Sequence, residues 1–173
     1  PAAHNAVRQT QPLFAASGGT HAAGIFGSGG EILAVAEDAG RHNALDKAIG
    51  RCLLTGLSPA GCGVVLSGRV SLEMVGKCAR AGIELISAIS APTSLAIEVA
   101  ERCDITLCAF VREIRATVFT SPHRVVRPVG ENPVELCSEA RLREFGEADS
   151  MTSEETTRLR DRLEEDEQSH TSD

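Results

Sequence analysis

The chain of 173 residues contains no tryptophan and no tyrosine, and five phenylalanines are its only aromatic residues. Its 42% hydrophobic content is therefore mostly aliphatic and small side chains, which is still ordinary globular material. No apolar run reaches the ~18 residues of a membrane-spanning helix, and no charged-then-apolar leader opens the sequence. Six cysteines (52, 62, 78, 103, 108 and 137) are scattered along it, and no two form C-x-x-C. That usage gives no sign of a small secreted disulfide scaffold; it reads as buried, reduced thiols of a cytosolic protein. Lysine is also scarce, with two against fifteen arginines. The opening Pro1 in place of Met is expected for a piece of a longer protein.

The net charge of −7 is unevenly spread. Residues 130–173 hold 14 acids and 5 arginines, which leaves residues 1–129 with 10 acids and 12 bases, net +2. The body is mildly basic and the end acidic. Residues 150–173 are charge-dense and poor in apolar side chains, the pattern of a disordered tail. Residues 127–149 read as a linker, with one short helix possible in "PVELCSEARLREF".

Along the body, helical and strand patterns alternate. "AAGIF" and "EILAVA" flank the glycine-rich turn "GSGG", a hairpin signal. Leu45, Ala48, Ile49, Cys52 and Leu53 follow at i, i+3, i+4, i+7 and i+8, the stripe of an amphipathic helix. "GVVLS" predicts a buried strand, and "SLEMVGKCARAG" a helix opened by Ser71 and closed by Gly82. "IELISAI" predicts a strand, "PTSLAIEVAERC" a helix capped by Thr93 or Ser94, and "ITLCAF" and "ATVFT" two more strands. A hairpin followed by α-β-α-β-α-β-β predicts a three-layer α/β/α fold with a mostly parallel sheet and right-handed crossovers.

In such sheets ligands bind beyond the carboxyl ends of the strands, where helix N-termini point. The loops there are "EDAGRH", "SGRVS", "SAPTS" and "VREIR", and they carry Arg41, Arg69, Arg112 and Arg115. Taken singly, each arginine reads as a surface residue and His42 as a core or capping histidine. Arg41 and His42 nevertheless open a helix, where a cation costs about 0.3–1 kcal/mol. An anion held between them and the backbone N–H groups offsets that cost, and the guanidinium fork suits phosphate. A zinc-deaminase site needs H-x-E and P-C-x-x-C at these two helix starts. Here the positions read His42-Asn43-Ala44 and Ser67-Gly68-Arg69-Val70-Ser71, without the glutamate and without thiolates, so no zinc is expected.

Three ordered stretches carry a family likeness: "GGTHAAG" (18–24), "EILAVAEDAGRHNALDKAIG" (31–50) and the run 67–124 from "SGRVSLEMV" to "TSPHR". They resemble the FdhD family, the formate dehydrogenase accessory sulfurtransferases, over residues 12–126. The resemblance implies an FdhD-like cofactor-binding domain of cytidine-deaminase-like fold. It implies a cytoplasmic homodimer that takes sulfur from a cysteine desulfurase. The sulfur passes to the bis-molybdopterin guanine dinucleotide molybdenum cofactor of formate dehydrogenase, and no nucleic-acid or membrane partner is implied. The family's cofactor-binding segment matches Phe110, Val111, Arg112, Glu113, Ile114 and Arg115, with Arg41, His42 and Arg69 expected to close the site. Glu113 and Ile114 stand where family members often show glycine or proline. The family's persulfide cysteine lies in a C-x-x-C loop before the stretch matched by "GGTHAAG", so none of the six cysteines here is assigned a catalytic role. Two functions follow: a sulfurtransferase whose nucleophile lies upstream of Pro1, or a non-catalytic guanine-dinucleotide-binding or dimerisation fragment.

Overall fold

The computed structural model describes residues 2–113, 115–126 and 134–137. The elements are α1 (Ala2–Gln9), α2 (Pro12–Ser17), β1 (His21–Phe26), β2 (Ile32–Asp38), α3 (Arg41–Leu54), β3 (Gly63–Leu66) and α4 (Leu72–Ala81). They continue as β4 (Leu85–Ala88), α5 (Ser94–Arg102), β5 (Thr106–Ala109), β6 (Ala116–Val118), a 3-10 turn (Pro122–Arg124) and β7 (Val134–Leu136). The tail at 150–173 and most of the 127–149 linker lie outside the described residues.

The seven strands of the described residues form one sheet in the order β2-β1-β3-β4-β5-β6-β7. Parallel pairing, expected for most of it, covers β3–β4, β4–β5 and β6–β7, whereas β1–β2, β1–β3 and β5–β6 are antiparallel. The sheet is therefore mixed. For β5–β6 the physical reason is link length: a parallel crossover needs roughly a dozen residues, and residues 110–115 are too few.

Alternation along β1 divides the layers. Ala22 and Gly24 face one side, Ala23 and Ile25 the other. Val7 of α1 packs with Ala22 and Val65, and a Cβ on Gly24 would collide with Val7 Cγ2. Only glycine lets α1 lie this close. On the opposite face α3 packs beside α4 and α4 beside α5. There the strands present the fully buried Ile25, Leu66, Ile86 and Leu107, and the helices Leu45, Met74 and Val75. Burying each such side chain contributes about 1.5–3 kcal/mol relative to exposure.

Local signals set the helix ends. Thr93 caps α5 by accepting the Ala96 N–H at 3.2 Å, and Gly82, with φ 73°, closes α4 in the left-handed conformation. The stripe of α3 is turned from its expected setting: Ala44, Leu45, Ala48 and Cys52 are buried, while Leu53 is 63% exposed. Three elements depart from the sequence reading, one of them the short helix Pro12–Ser17, where no element was expected. Ala2–Gln9, ahead of the expected domain start, is a helix on the sheet. Val134–Leu136, expected in a short helix, is a strand, because the outer edge of β6 offers an open ladder that these residues fill.

At the end of β2, Asp38 prepares the start of α3. Its Oδ1 accepts the Gly40 N–H at 2.9 Å and the Asn43 amide at 3.1 Å, and its Oδ2 pairs with Lys47. The Lys47 contact first, then the two amides, pull the carboxyl down to about 2 from an ordinary 3.8. A depressed carboxylate stabilises the fold above its unfolded pKa, and that contribution fades as pH falls through the folded value. Asp38→Asn should therefore be less stable than the parent near pH 6. Urea titrations should show the gap shrinking below pH 3.8 and closing near pH 2. A gap that persists unchanged at pH 2 would remove Asp38 from this role.

Candidate functional site

The carboxyl ends of β3, β4 and β5 share one edge of the sheet with the start of β1. Backbone pairing runs one step past the strands there, from Ile89 N–H to the Leu66 carbonyl (3.2 Å) and Val111 N–H to the Ala88 carbonyl (3.1 Å). These bonds hold the following loops against the edge. On the α1 face they border a cavity of about 970 Å³. Its walls come from α1 (His4, Val7, Arg8), from Gln11, Phe14 and Gly18 to His21, from Val65, Ser67 and Ile89, and from Val111, Arg112, Glu113 and Arg115.

The last wall is built by a reversal. Phe110 leaves β5 with φ 52°, a left-handed conformation that is rare for an aromatic residue, while its ring centroid sits 6.2 Å from that of Phe119. Val111 is thereby buried, and a tight turn follows in which Arg112 N–H donates to the Arg115 carbonyl at 2.8 Å. The Arg112 Nη1 donates to the carbonyls of Ile89 (2.7 Å) and Val111 (2.8 Å), so the guanidinium is fixed by backbone and its charge is uncompensated by these partners.

Across from it, His4 Nε2 and Ser87 Oγ share a hydrogen bond of 2.8 Å, and His4 Nδ1 is buried without a partner among the described residues. Burial, then nearby positive charge that includes Arg112, pushes His4 down to about 4, so it is neutral at physiological pH. His21 Nδ1 lies 3.4 Å from Ser67 Oγ, which itself accepts the Ala22 N–H at 2.8 Å. Among the described lining residues, three arginines accompany a single carboxylate, that of Glu113. Such a cavity favours an anion with an apolar or heterocyclic body.

Of the residues expected to bind a cofactor, Val111, Arg112, Glu113 and Arg115 meet in this cavity. Phe110 shapes the turn without lining it, and Ile114 lies outside the described residues. Arg41, His42 and Arg69 are absent from the lining. They stand at the starts of α3 and α4, where His42 Nε2 bonds Ser71 Oγ at 3.0 Å and sits 3.9 Å from Glu73. The two groups meet at Gly68: a Cβ there would lie 3.1 Å from His21 Nδ1 of the lining and 3.4 Å from Arg41 Cδ. The lining histidines His4 and His21 were not singled out as site residues from sequence. Among the described residues no three His, Cys, Asp or Glu side chains gather as metal ligands.

A profile of the FdhD/NarQ family matches residues 1–126. The chain belongs to the FdhD/NarQ family. Similar proteins include the sulfur carrier protein FdhD of Bordetella parapertussis, 46% identical over 123 residues that cover 71% of this chain and 45% of that protein. The sulfur carrier protein FdhD of Saccharolobus solfataricus is 46% identical over 120 residues, 69% of this chain and 47% of that protein. Among solved structures, a protein from Desulfotalea psychrophila assigned as a formate dehydrogenase accessory protein superimposes with a TM-score of 0.67 at 36% identity. That match covers 71% of this chain and 55% of the other. The chain thus spans about half the length of the curated relatives it matches.

None of the six cysteines of this FdhD/NarQ chain is among the described lining residues, although Cys108 packs against Val111, which is. Cys52, Cys62, Cys78 and Cys108 are buried, Cys103 is exposed and Cys137 is half-buried. Burial pushes Cys78 up to about 12 and Cys108 up to about 11, and raises Cys52 and Cys62 as well. Thiols so protected are poor nucleophiles. Alkylation of the native chain at neutral pH, read by peptide mass spectrometry, should label Cys103 first and spare these four until the fold is disrupted. Early labelling of Cys78 or Cys108 would contradict the burial described.

Proposed function

We propose that this chain is the cofactor-binding part of an accessory sulfurtransferase that matures formate dehydrogenase. In this reading it works in the cytoplasm as a homodimer, receives its sulfur from a cysteine desulfurase and delivers it to the bis-molybdopterin guanine dinucleotide molybdenum cofactor of formate dehydrogenase. The observation that carries the proposal is the cation-lined cavity to which Val111, Arg112, Glu113 and Arg115, of the segment that the resemblance assigns to the cofactor, contribute one wall. Its chemistry suits the client: the guanine dinucleotide brings pyrophosphate for Arg112 and Arg115, and a planar base for the apolar floor of Val7, Val65 and Ile89.

The residues present fit such a group. The buried, unpartnered Nδ1 of His4 offers a polar contact within the wall, and the fixed guanidinium of Arg112 loses little freedom on meeting a phosphate. Arg41, His42 and Arg69 form an adjoining basic group beyond Gly68. Sulfur carriage needs an accessible thiolate beside the bound cofactor; the four buried cysteines do not supply one, and the exposed Cys103, at the end of α5, is not among the described lining residues. This favours, for these 173 residues taken alone, binding without transfer.

Calorimetric titration with GDP, as the terminal fragment of the dinucleotide, tests the proposal. The parent chain should bind, and binding should weaken with added salt because exposed charges contribute to it. Arg115→Ala should cost about 1.5–3 kcal/mol, the range for a hydrogen bond to a charged group. Arg80→Ala, in the last turn of α4, should cost nothing. Equal affinity of Arg115→Ala and the parent would remove this arginine from the site, and absence of GDP binding by the parent would defeat the proposal.

A further inference from the structure

One wall of the cavity is held in place from outside it. The segment from Gln11 to Thr20 contributes Gln11, Phe14, Gly18, Gly19 and Thr20 to the lining, yet its only regular element is the six-residue α2. A helix this short does not persist unaided in water. Its N-cap residue, Gln11, makes no side-chain capping bond, and Pro12 has no N–H to satisfy. The next two amides are exposed orphans unless another element supplies an acceptor.

Glu37 of β2 supplies it. Its Oε2 accepts the Leu13 N–H at 3.0 Å, and its Oε1 accepts the Phe14 N–H at 2.8 Å. The same Oε1 accepts the Thr20 hydroxyl at 3.1 Å, so a single carboxylate grips both ends of the segment. Between these points the segment closes on itself through Gly18, whose φ is 65° and whose N–H donates to the Phe14 carbonyl at 2.7 Å. Glu37 is paired with Ala22 in the sheet, which directs it to the α1 face where the cavity lies.

We propose that Glu37 is a positioning residue that sets the Gln11–Thr20 wall of the cavity, and through it the affinity for the nucleotide ligand; the second half rests on the function proposed above. Glu37 does not line the cavity. It acts only through the backbone amides and hydroxyl it holds. A glutamine keeps the size of the side chain but puts an NH2 donor where one of the two oxygens stands, so of the two amides, each held by its own oxygen, one faces a donor.

The test compares the parent, Glu37→Gln and a control, Glu31→Gln, an exposed glutamate of the same hairpin. Residue-resolved amide hydrogen exchange and GDP titration are measured on each full chain, with thermal midpoints recorded to check folding. In Glu37→Gln the Leu13 and Phe14 amides should exchange about tenfold faster or more, while strand amides such as Val64 keep their protection. GDP affinity should fall about threefold or more, and Glu31→Gln should match the parent in both readouts. Unchanged exchange at Leu13 and Phe14 would overturn the clamp. Faster exchange with unaltered GDP affinity would overturn its effect on the ligand. Absence of GDP binding by the parent overturns the ligand half together with the proposed function, and exchange alone then decides the clamp. If Glu37→Gln loses protection throughout the sheet, Glu37 is a general fold residue and the proposal fails.

Discussion

The working edge of this molecule depends on the end of one strand, where two adjacent carboxylates point to opposite faces of the sheet. The two-residue period of β2 sends Glu37 to the α1 face and Asp38 to the α3 face. Glu37 receives Leu13, Phe14 and Thr20, while Asp38 receives Gly40, Asn43 and Lys47. The short helix before the hairpin and the long helix after it are thus tied to neighbouring residues. A shift of one residue in the pairing of β2 would exchange the two acids and release both helices. Register is therefore a condition of the site as well as of the core.

Asp38 also serves the start of α3, which an arginine and a histidine open without a side-chain cap of their own. His42 is engaged by Ser71 across the gap between two helix starts, whereas Arg41, beside Gly68, keeps a buried Nε without a partner among the described residues. The basic group is built into the packing, and its charge lies beside the cavity and outside its lining. Within the cavity the fixed charge is Arg112, whose guanidinium spends two contacts on backbone carbonyls to hold its place. His4 remains neutral there because burial and the positive surroundings disfavour its protonation. Glu113 is the local opposition among the described lining residues.

Much of the fold was legible because its signals are local. Ser71, Thr93 and Gly82 mark helix ends in the sequence and do so in the structure, and the short apolar runs at 63–66, 85–88 and 106–109 are strands. What escaped depends on distant partners. α1 has only alanines and Val7 to mark an apolar side, and its place is set by the bare backbone at Gly24. β7 is three residues long and is a strand because β6 has an edge to pair with. The site divides in the same way. The segment at 110–115 was identified through resemblance, whereas His4 meets Ser87 across 83 residues of sequence and nothing in its own neighbourhood announces that contact. Arg41, His42 and Arg69 were grouped with Arg112 and Arg115 because all stand on loops at one edge. Which side of the sheet each loop serves is a matter of strand parity that loop composition does not carry.

The proposal that the cavity is a nucleotide site is tested most directly by mapping GDP onto the isotopically labelled chain by NMR. Amide shift changes should concentrate at Gly18, Gly19, His21, Val111 and Arg112, with the α3 and α4 amides of Asn43 and Glu73 unmoved. Changes confined to the starts of α3 and α4, with the cavity residues silent, would contradict the account.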